Sequence, residues 1–321
     1  MRRGAPVALA LAVALGLAAC GGSSAGSSPG STTDGGTALS GAVRVDGSST
    51  VAPMSTIAAE LFQDANAGVQ VTVGTSGTGG GFEKFCNGET DINDASRSIK
   101  DEEAAACEEK GITYQELTVA LDALTVVVNK ENDWATCLTV EQLATIWGPD
   151  SKVDNWNQVD PSFPDEKLTL FGPGTDSGTF DYFTDAINGE EGVSRTDYSP
   201  SEDDNITVQG VEGSKGALGY FGFTYYEENA EAITAVSIDN GAGCVAPSPE
   251  TAQDGTYAPL SRPLFIYPSG TAIKQPQVDA FVQFYVDNDA QIAEEGLFIP
   301  LNSDQSAELK STWSTFQAAN G

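Results

Sequence analysis

The 321-residue sequence contains no histidine, and its basic residues are few: 15 Lys and Arg stand against 46 Asp and Glu, giving a formal net charge of −31. Without histidine, Ser-His-Asp and Cys-His catalysis in their usual forms are excluded, and so are most zinc sites. The usual general base near pH 7 is also missing. The acidic balance argues against nucleic acid as a partner, because affinity for nucleic acid comes mainly from Lys and Arg that neutralise phosphates. Docking on anionic lipid through a basic patch is disfavoured for the same reason.

The N-terminal segment is typical of an exported protein. Arg2 and Arg3 precede an apolar run over residues 5–19, which is short for a membrane span and predicts a secretory signal peptide over residues 1–19. The run ends in Leu-Ala-Ala-Cys at Cys20, which resembles the lipobox of bacterial lipoproteins. In that family the cysteine is diacylated, and two acyl chains anchor a protein stably. We therefore predict lipidation at Cys20 and a location on the outer face of the cell membrane or in a periplasm; a cleaved signal with an incidental Cys20 is the alternative.

Residues 20–41 are rich in Gly, Ser and Thr. This composition has too few apolar side chains to fill a core. It predicts a flexible tether between the anchor and the folded part of the chain.

The remaining four cysteines are Cys86, Cys107, Cys137 and Cys244. An even number in an exported protein indicates two disulfides, and four cysteines allow three pairings. We favour Cys86–Cys107 and Cys137–Cys244, because the first two flank one short segment. None of the spacings is typical of a metal site, so we expect no metal ion and no cofactor.

From residue 42 onward, strand-like and helix-like segments alternate, which predicts an α/β fold. Residues 42–47 predict a strand, and residues 50–66 predict a helix with Ile57, Leu61 and Phe62 on one face. The apolar segment LTVALDALTVVVN, residues 117–129, is long enough for two strands or for one that crosses between two lobes.

Three short loops share one design, in which a strand is followed by Gly, Ser and Thr and then by a helix. They are DGSSTVAP at 46–53, GTSGTGGGF at 74–82 and GTDSGTF at 174–180. In open α/β sheets, ligands bind beyond the carboxyl ends of the strands, where a helix N-terminus offers unpaired N–H groups and partial positive charge. Ser and Thr are also ordinary helix caps, but three such loops in one chain predict an anion site built largely from neutral donors.

These stretches, DGSSTVAPM, GTSGTGGGFEKFCNGETDINDASRSI and FGPGTDSGTFDYF, closely resemble the phosphate-binding lipoproteins of bacterial phosphate-specific ABC transporters. The resemblance runs from about residue 42 to 318. It implies the two-lobed periplasmic-binding-protein fold of type II, with inorganic phosphate in the interlobe cleft and delivery to membrane permease subunits. Lobe 1 would comprise residues 42–127 and 263–318, and lobe 2 residues 128–262. We expect a monomer that carries out no catalysis.

The resemblance also implies a set of phosphate ligands. In the first loop these are the Thr50 hydroxyl, the Val51 N–H and an added donor from Ser49. In the second loop the matching hydroxyl is Ser76 or Thr78. The third loop contributes Ser177, Gly178 and Thr179.

The charged residues depart from the pattern of better-known members, which have an Asp after the Ala-Ser of the second region and an Arg just before the third loop. Those positions hold Arg97 and Pro173 here. We predict that Arg97 is the cation on phosphate, suited by its planar fork to bidentate binding. A surface ion pair is the alternative role for Arg97.

An acidic side chain in the site could distinguish phosphate from sulfate, because phosphate still carries a proton at neutral pH and sulfate does not. A carboxylate accepts a hydrogen bond from that proton but repels sulfate, so it rejects the wrong anion. We predict Asp176 for this role, with Asp46 and Asp94 as rivals; a helix cap is the alternative for Asp176.

Two other functions compete with phosphate binding: binding of another tetrahedral oxyanion, such as sulfate or molybdate, and hydrolysis of a phosphoester through Ser177 or Thr179. Hydrolysis would need a metal site or a nucleophile–base pair, and the sequence offers neither.

Overall fold

The computed structural model describes residues 38–321. The predictions for the signal peptide, for Cys20 and for the tether up to residue 37 lie outside the described residues. Within residues 38–321, no helix combines the length and the apolar character that a membrane span requires.

Twelve strands and twelve α-helices are described. The strands are β1 Gly41–Gly47, β2 Val69–Val73, β3 Ile92–Ala95, β4 Leu117–Asn129, β5 Cys137–Thr139, β6 Thr169–Gly172, β7 Ser199–Pro200, β8 Ala217–Gly222, β9 Ile233–Ala235, β10 Ser237–Asp239, β11 Cys244–Val245 and β12 Ser261–Pro268. The helices are α1 Ala52–Ala65, α2 Gly77–Cys86, α3 Asp101–Glu109, α4 Val140–Trp147, α5 Trp156–Val159, α6 Gly178–Asn188, α7 Asp204–Glu212, α8 Phe223–Asn229, α9 Pro249–Gln253, α10 Pro276–Asp287, α11 Asp289–Glu295 and α12 Ser303–Asn320.

The main sheet has the strand order β2-β1-β3-β12-β4-β8-β6-β7, with β9 also paired to β4. Strand β1 runs parallel to both β2 and β3, so the loops that follow β1, β2 and β3 leave the same edge of the sheet. Strands β6 and β8 are parallel to each other, and β8 is antiparallel to β4. The predicted α/β class is confirmed. Because β6 runs opposite to β1, the loop after β6 leaves in the opposite direction from the loops after β1, β2 and β3.

Strand β4 is one continuous strand of 13 residues whose burial is nearly unbroken. From Leu117 to Ala123 it pairs with β12, and from Leu124 onward it pairs with β8. Of the two interpretations of this segment, a single crossing strand is therefore the one observed. The boundaries that we placed between the lobes stay a prediction, and the change of partner falls slightly before the expected boundary at residue 127.

Two disulfides join the pairs that we favoured from the sequence. Cys86–Cys107 ties the end of α2 to α3 with a Cα–Cα distance of 4.3 Å. Cys137–Cys244 ties β5 to β11 with a Cα–Cα distance of 5.9 Å. The predicted pairing is confirmed.

The buried side of helix α1 extends beyond the three residues that we placed on one face. Phe62 is buried, but Ile57 and Leu61 are only partly so, and the buried side includes Met54 and Ala58. Small side chains let the helix lie close to its neighbours, so the close-packed side is the one with Ala rather than the one with the largest aliphatic residues.

Candidate functional site

A cavity of about 670 Å³ brings the three Gly/Ser/Thr loops together. Its lining contains most of the predicted ligands and several residues that sequence reasoning missed. The lining residues used below are Ser49, Thr50, Ser76, Thr78, Arg97, Gly178, Asp181, Tyr182 and Arg262.

The first loop is shaped by its own hydrogen bonds. The Thr50 N–H donates to Ser48 Oγ at 3.2 Å, and the Ser48 N–H donates to the Asp94 carbonyl at 2.9 Å. Gly47 has a φ of +142°, and a Cβ there would lie 2.1 Å from the Asp94 carbonyl oxygen, so the turn requires glycine. This turn carries Ser49 and Thr50 to the cavity. Val51 has a fully buried side chain, which leaves its backbone N–H as the group relevant to the prediction.

The second loop distinguishes between Ser76 and Thr78. The Ser76 hydroxyl donates to Asp46 Oδ1 at 2.6 Å and accepts from Lys84 Nζ at 2.6 Å, so it is engaged within the protein. Thr78 Oγ1 accepts from the Ser96 N–H at 3.2 Å and shares a hydrogen bond of 3.1 Å with Ser96 Oγ, in which either hydroxyl can be the donor. When Ser96 donates, the Thr78 proton is free for a ligand. The geometry therefore favours Thr78 as the second-loop donor.

The third loop ends at the N-terminus of α6. Ser177 Oγ accepts from the Thr179 N–H at 3.2 Å and caps the helix. Gly178 lines the cavity, and a Cβ at Gly178 would lie 2.4 Å from Thr50 Oγ1. The first and third loops thus touch. The Thr179 N–H is taken by this cap, but the Gly178 N–H has no partner inside the helix and remains as a donor beside Thr50.

Helix α6 is held in this position by its aromatic residues. Phe180, Tyr182 and Phe183 are buried. The Phe183 ring stacks on Tyr220 of β8, with 3.8 Å between ring centroids. The sequence SGTFDYF therefore places the Ser177 cap and the buried aromatic residues within two turns of α6. The packing of these aromatic residues fixes the direction of the helix and of its N-terminus.

Arg97 lines the cavity and is also part of an ion pair. Its Nη1 and Nη2 lie 2.8 Å and 2.7 Å from the two carboxylate oxygens of Glu103, with the guanidinium about one-third exposed. Both roles that we weighed for Arg97 are therefore compatible with its position. Its fork is engaged by Glu103, and Nη1 also donates to the Ser98 carbonyl at 3.1 Å. The Nε N–H and one Nη2 N–H are left without a partner in residues 38–321.

Arg262 is a second cation of the cavity, and sequence reasoning missed it. Its Nη2 lies 3.2 Å from Thr50 Oγ1, and its guanidinium carbon lies 3.7 Å from the centroid of the Tyr182 ring. It belongs to strand β12, far along the chain from the three loops. The available signal was an arginine at the start of the apolar stretch RPLFIYP.

The acids are arranged differently from the prediction. Asp176 is exposed, with its N–H 3.4 Å from Glu202 Oε1, and it is not among the residues that line the cavity. The role of Asp176 as acceptor of the hydrogen bond from the phosphate proton stays a prediction. Asp181, one turn into α6, is partly buried and lines the cavity. Burial and the neighbouring Glu191 raise the pKa of Asp181, and Arg262 opposes that rise.

The two rival acids are occupied elsewhere. Burial disfavours the ionised form of Asp46, but hydrogen bonds from Lys84 and Ser76 outweigh it and hold the pKa of that carboxyl below its ordinary value. Asp94 is fully buried and accepts from the Ser55 hydroxyl at 2.9 Å. Burial raises the pKa of Asp94 to about 8. Neither acid lines the cavity.

Two negative findings concern chemistry in the described residues. Within residues 38–321, no cluster of three or more Cys, Asp or Glu side chains could hold a metal ion. In the same part of the chain, the hydroxyls of Ser177 and Thr179 make no hydrogen bond to a carboxylate or an amine, which a nucleophile–base pair would require.

A cleft of this kind, with donor loops converging from strands that meet at a crossing strand, defines a two-lobed substrate-binding protein. Residues 24–289 match the family model described as PBP superfamily domain. Protein SphX of Synechococcus elongatus is 52% identical over 257 residues, which cover 79% of this chain and 76% of SphX. Phosphate-binding protein PstS of Staphylococcus saprophyticus is 38% identical over 266 residues, 82% of each chain. The crystal structure of a possible phosphate binding protein from Planctomyces limnophilus matches with a TM-score of 0.83 and 48% identity, covering 87% of this chain and 99% of that one.

The chain belongs to the PBP superfamily and, within it, to the family of the phosphate-binding protein PstS. The predicted two-lobed fold is confirmed by this membership and by the likeness to the Planctomyces limnophilus structure.

Proposed function

We propose that this protein binds inorganic phosphate outside the cytoplasm and delivers it to an ABC-type phosphate importer. The observation that carries the proposal is the convergence of Thr50, Thr78 and the N-terminus of α6 on one cavity that also holds two arginines. Relatives named phosphate-binding protein support the choice of phosphate over sulfate or molybdate. The mechanism is binding, closure and delivery, with no covalent step.

Phosphate would be held mainly by neutral donors. We assign the hydroxyls of Thr50 and Thr78, the N–H groups of Val51 and Gly178, and flanking donors from Ser49, Ser177 and Thr179. Each hydrogen bond to a charged group contributes about 1.5–3 kcal/mol, so a handful can reach micromolar affinity or better after ordering costs. The long-range repulsion from an acidic surface is screened beyond roughly 8 Å at physiological salt.

The proton of phosphate needs an acceptor, and the chain offers two candidates near the third loop. Asp176 is the candidate from the sequence, and Asp181 is the candidate that lines the cavity. We favour Asp181, because an acceptor must face the anion. An ionised carboxylate there would repel sulfate, which has no proton to donate.

Several features of the proposal concern the rest of the molecule. We propose that Cys20 carries the lipid anchor, that residues 20–41 act as its tether, and that the chain functions as a monomer. We also propose that residues 42–127 with 263–318 form one lobe and residues 128–262 the other. Permease subunits of the importer would be the protein partner.

Calorimetric titration of the purified, ligand-stripped protein with phosphate and separately with sulfate tests the proposal. We expect tight phosphate binding and no sulfate binding. Asp181→Asn should weaken phosphate and admit sulfate, whereas Asp176→Asn, its matched control in the same loop region, should leave both unchanged. Thr78→Ala should weaken phosphate binding about tenfold or more, by one charge-assisted hydrogen bond, and more than Ser76→Ala does. A wild-type protein that bound neither anion would reduce the three loops to helix caps.

A further inference from the structure

Arg262 lies close to the point where strand β4 changes its pairing partner from β12 to β8. It is paired across the strands with Asp122, and Ser261 is paired with Ala123. The next residue of β4, Leu124, pairs with Gly222 of β8 instead. The Arg262–Asp122 pair is therefore the second-last residue pair between β4 and β12 before β4 pairs with β8.

From this position the guanidinium of Arg262 reaches both walls of the cavity. Its Nη2 contacts Thr50 Oγ1 of the first loop at 3.2 Å. Its guanidinium carbon lies over the Tyr182 ring of α6, 3.7 Å from the ring centroid, within the range of a cation–π contact. The Tyr182 hydroxyl in turn donates to the Pro259 carbonyl at 2.6 Å, just before β12. One side chain thus links the first loop, helix α6 and the crossing strand.

The ion pair of Arg262 is incomplete. Both its Nε and its Nη2 lie 3.3 Å from the same oxygen, Asp122 Oδ2, longer than the roughly 2.7–2.9 Å of a good charge-assisted bond. Its Nη1 makes no hydrogen bond within residues 38–321. Arg97 differs, since both of its terminal nitrogens bond Glu103 at 2.7 and 2.8 Å. Each of the two cations leaves two N–H groups without a partner in residues 38–321. Arg262 has the longer ion-pair bonds and is the more buried, with its side chain 16% exposed against 34% for Arg97.

We propose that Arg262 couples the binding of phosphate to the closure of the two lobes. The inference rests on the proposed function. A phosphate beside Thr50 satisfies the spare donors of Arg262, and the fixed guanidinium plane then holds Tyr182, and with it α6, against the first loop. Arg97, already paired, adds affinity without this link. Arg262 acts in closure as a positioning residue, because its effect on α6 passes through Tyr182.

The test separates affinity from closure. Affinity is measured by calorimetry with inorganic phosphate, and closure by the fall in radius of gyration in small-angle X-ray scattering at saturating phosphate. Removing Arg262 alone would leave the buried Asp122 unpaired, which destabilises the fold, so the main variant is the double substitution Asp122→Asn with Arg262→Gln. Arg97→Gln is the matched control in the same cavity, and Arg262→Lys retains the charge without the planar stacking surface.

We expect the double variant to bind phosphate at least tenfold more weakly and to show no compaction at saturation. Arg262→Lys should recover part of the affinity but little of the compaction, whereas Arg97→Gln should bind more weakly and still compact fully. Asp122→Asn alone, which keeps Arg262, should compact as the wild type does. Full compaction of the double variant at saturating phosphate would overturn the inference while leaving the proposed function intact. Absence of phosphate binding by the wild type would instead remove the proposed function, and the inference with it.

Discussion

Because Gly178 contacts Thr50, the substitution Gly178→Ala tests whether the first and third loops form one anion site. In Gly178→Ala the new Cβ would lie 2.4 Å from Thr50 Oγ1, whereas van der Waals contact lies at roughly 3.5 Å. The threonine side chain is short and branched and is held by Arg262, so it has little freedom to turn away. Helix α6 and the first loop would therefore have to separate by about 1 Å.

A separation of this size exceeds the tolerance of a hydrogen bond. Donor–acceptor distances usually lie between about 2.7 and 3.2 Å, a range of only about 0.5 Å, so an anion between the two elements would lose at least one full contact. A bond to a charged group is worth about 1.5–3 kcal/mol, and each 1.4 kcal/mol is a factor of ten. We expect phosphate affinity to fall about 10- to 100-fold, as measured by calorimetric titration.

The fold itself should tolerate Gly178→Ala, because alanine favours the helix that begins at this residue. Gly222→Ala is a suitable control: a Cβ there meets nothing within 4 Å, and its φ of −64° suits any residue. The control should bind phosphate as the wild type does. If Gly178→Ala bound phosphate with wild-type affinity and an unchanged melting temperature, the first and third loops would not form one anion site.

Two further predictions concern stability. Replacing both cysteines of Cys137–Cys244 by serine should lower the free energy of unfolding more than the same change in Cys86–Cys107, because the bridges span 107 and 21 residues; the chain-entropy model gives about 5 and about 3 kcal/mol. Denaturant unfolding of the two double variants measures this, and the reverse order would contradict it. Asp94, whose pKa burial raises to about 8, binds a proton in the folded chain that the unfolded chain releases, so wild-type stability should decline from about pH 4 to pH 8. The advantage of Asp94→Asn over the wild type should therefore be larger at pH 8 than at pH 5 by at least about 1.4 kcal/mol, and a difference independent of pH would refute the assignment.

The features that could be predicted from the sequence are those set by neighbouring residues. The three loops were visible because each combines a strand end, small polar residues and a helix start within ten residues. The Cys86–Cys107 pairing also followed from one short segment, whereas residues 117–129 were compatible with either two strands or the single strand that is observed. By contrast, Arg262 meets Thr50 across 212 positions of the chain, and no local pattern indicates such a contact.

The choice between Asp176 and Asp181 also could not be made from the local sequence. Asp176 and Asp181 lie five positions apart, and both belong to the third motif. Which of them faces the cavity depends on the direction of α6, and that direction is set by the stacking of Phe183 on Tyr220. The buried face of α1 likewise depends on which neighbours it packs against. The helix and the burial of Phe62 could be predicted, but the full burial of Met54 and Ala58 in place of Ile57 and Leu61 could not.

The position of β12 in the sheet has a consequence for the order in which the molecule is assembled. It is the last strand in the chain, yet it lies between β3 and β4, with antiparallel partners on both sides. A chain that emerges N-terminus first must therefore keep a gap open between two strands made much earlier, until residues 261–268 arrive to fill it. Premature pairing of β3 with β4 would shut out the final strand and displace Arg262. We expect chains truncated before residue 261 to expose two unpaired edges and to aggregate, so the protein is committed to its native state only when nearly all of it has been released.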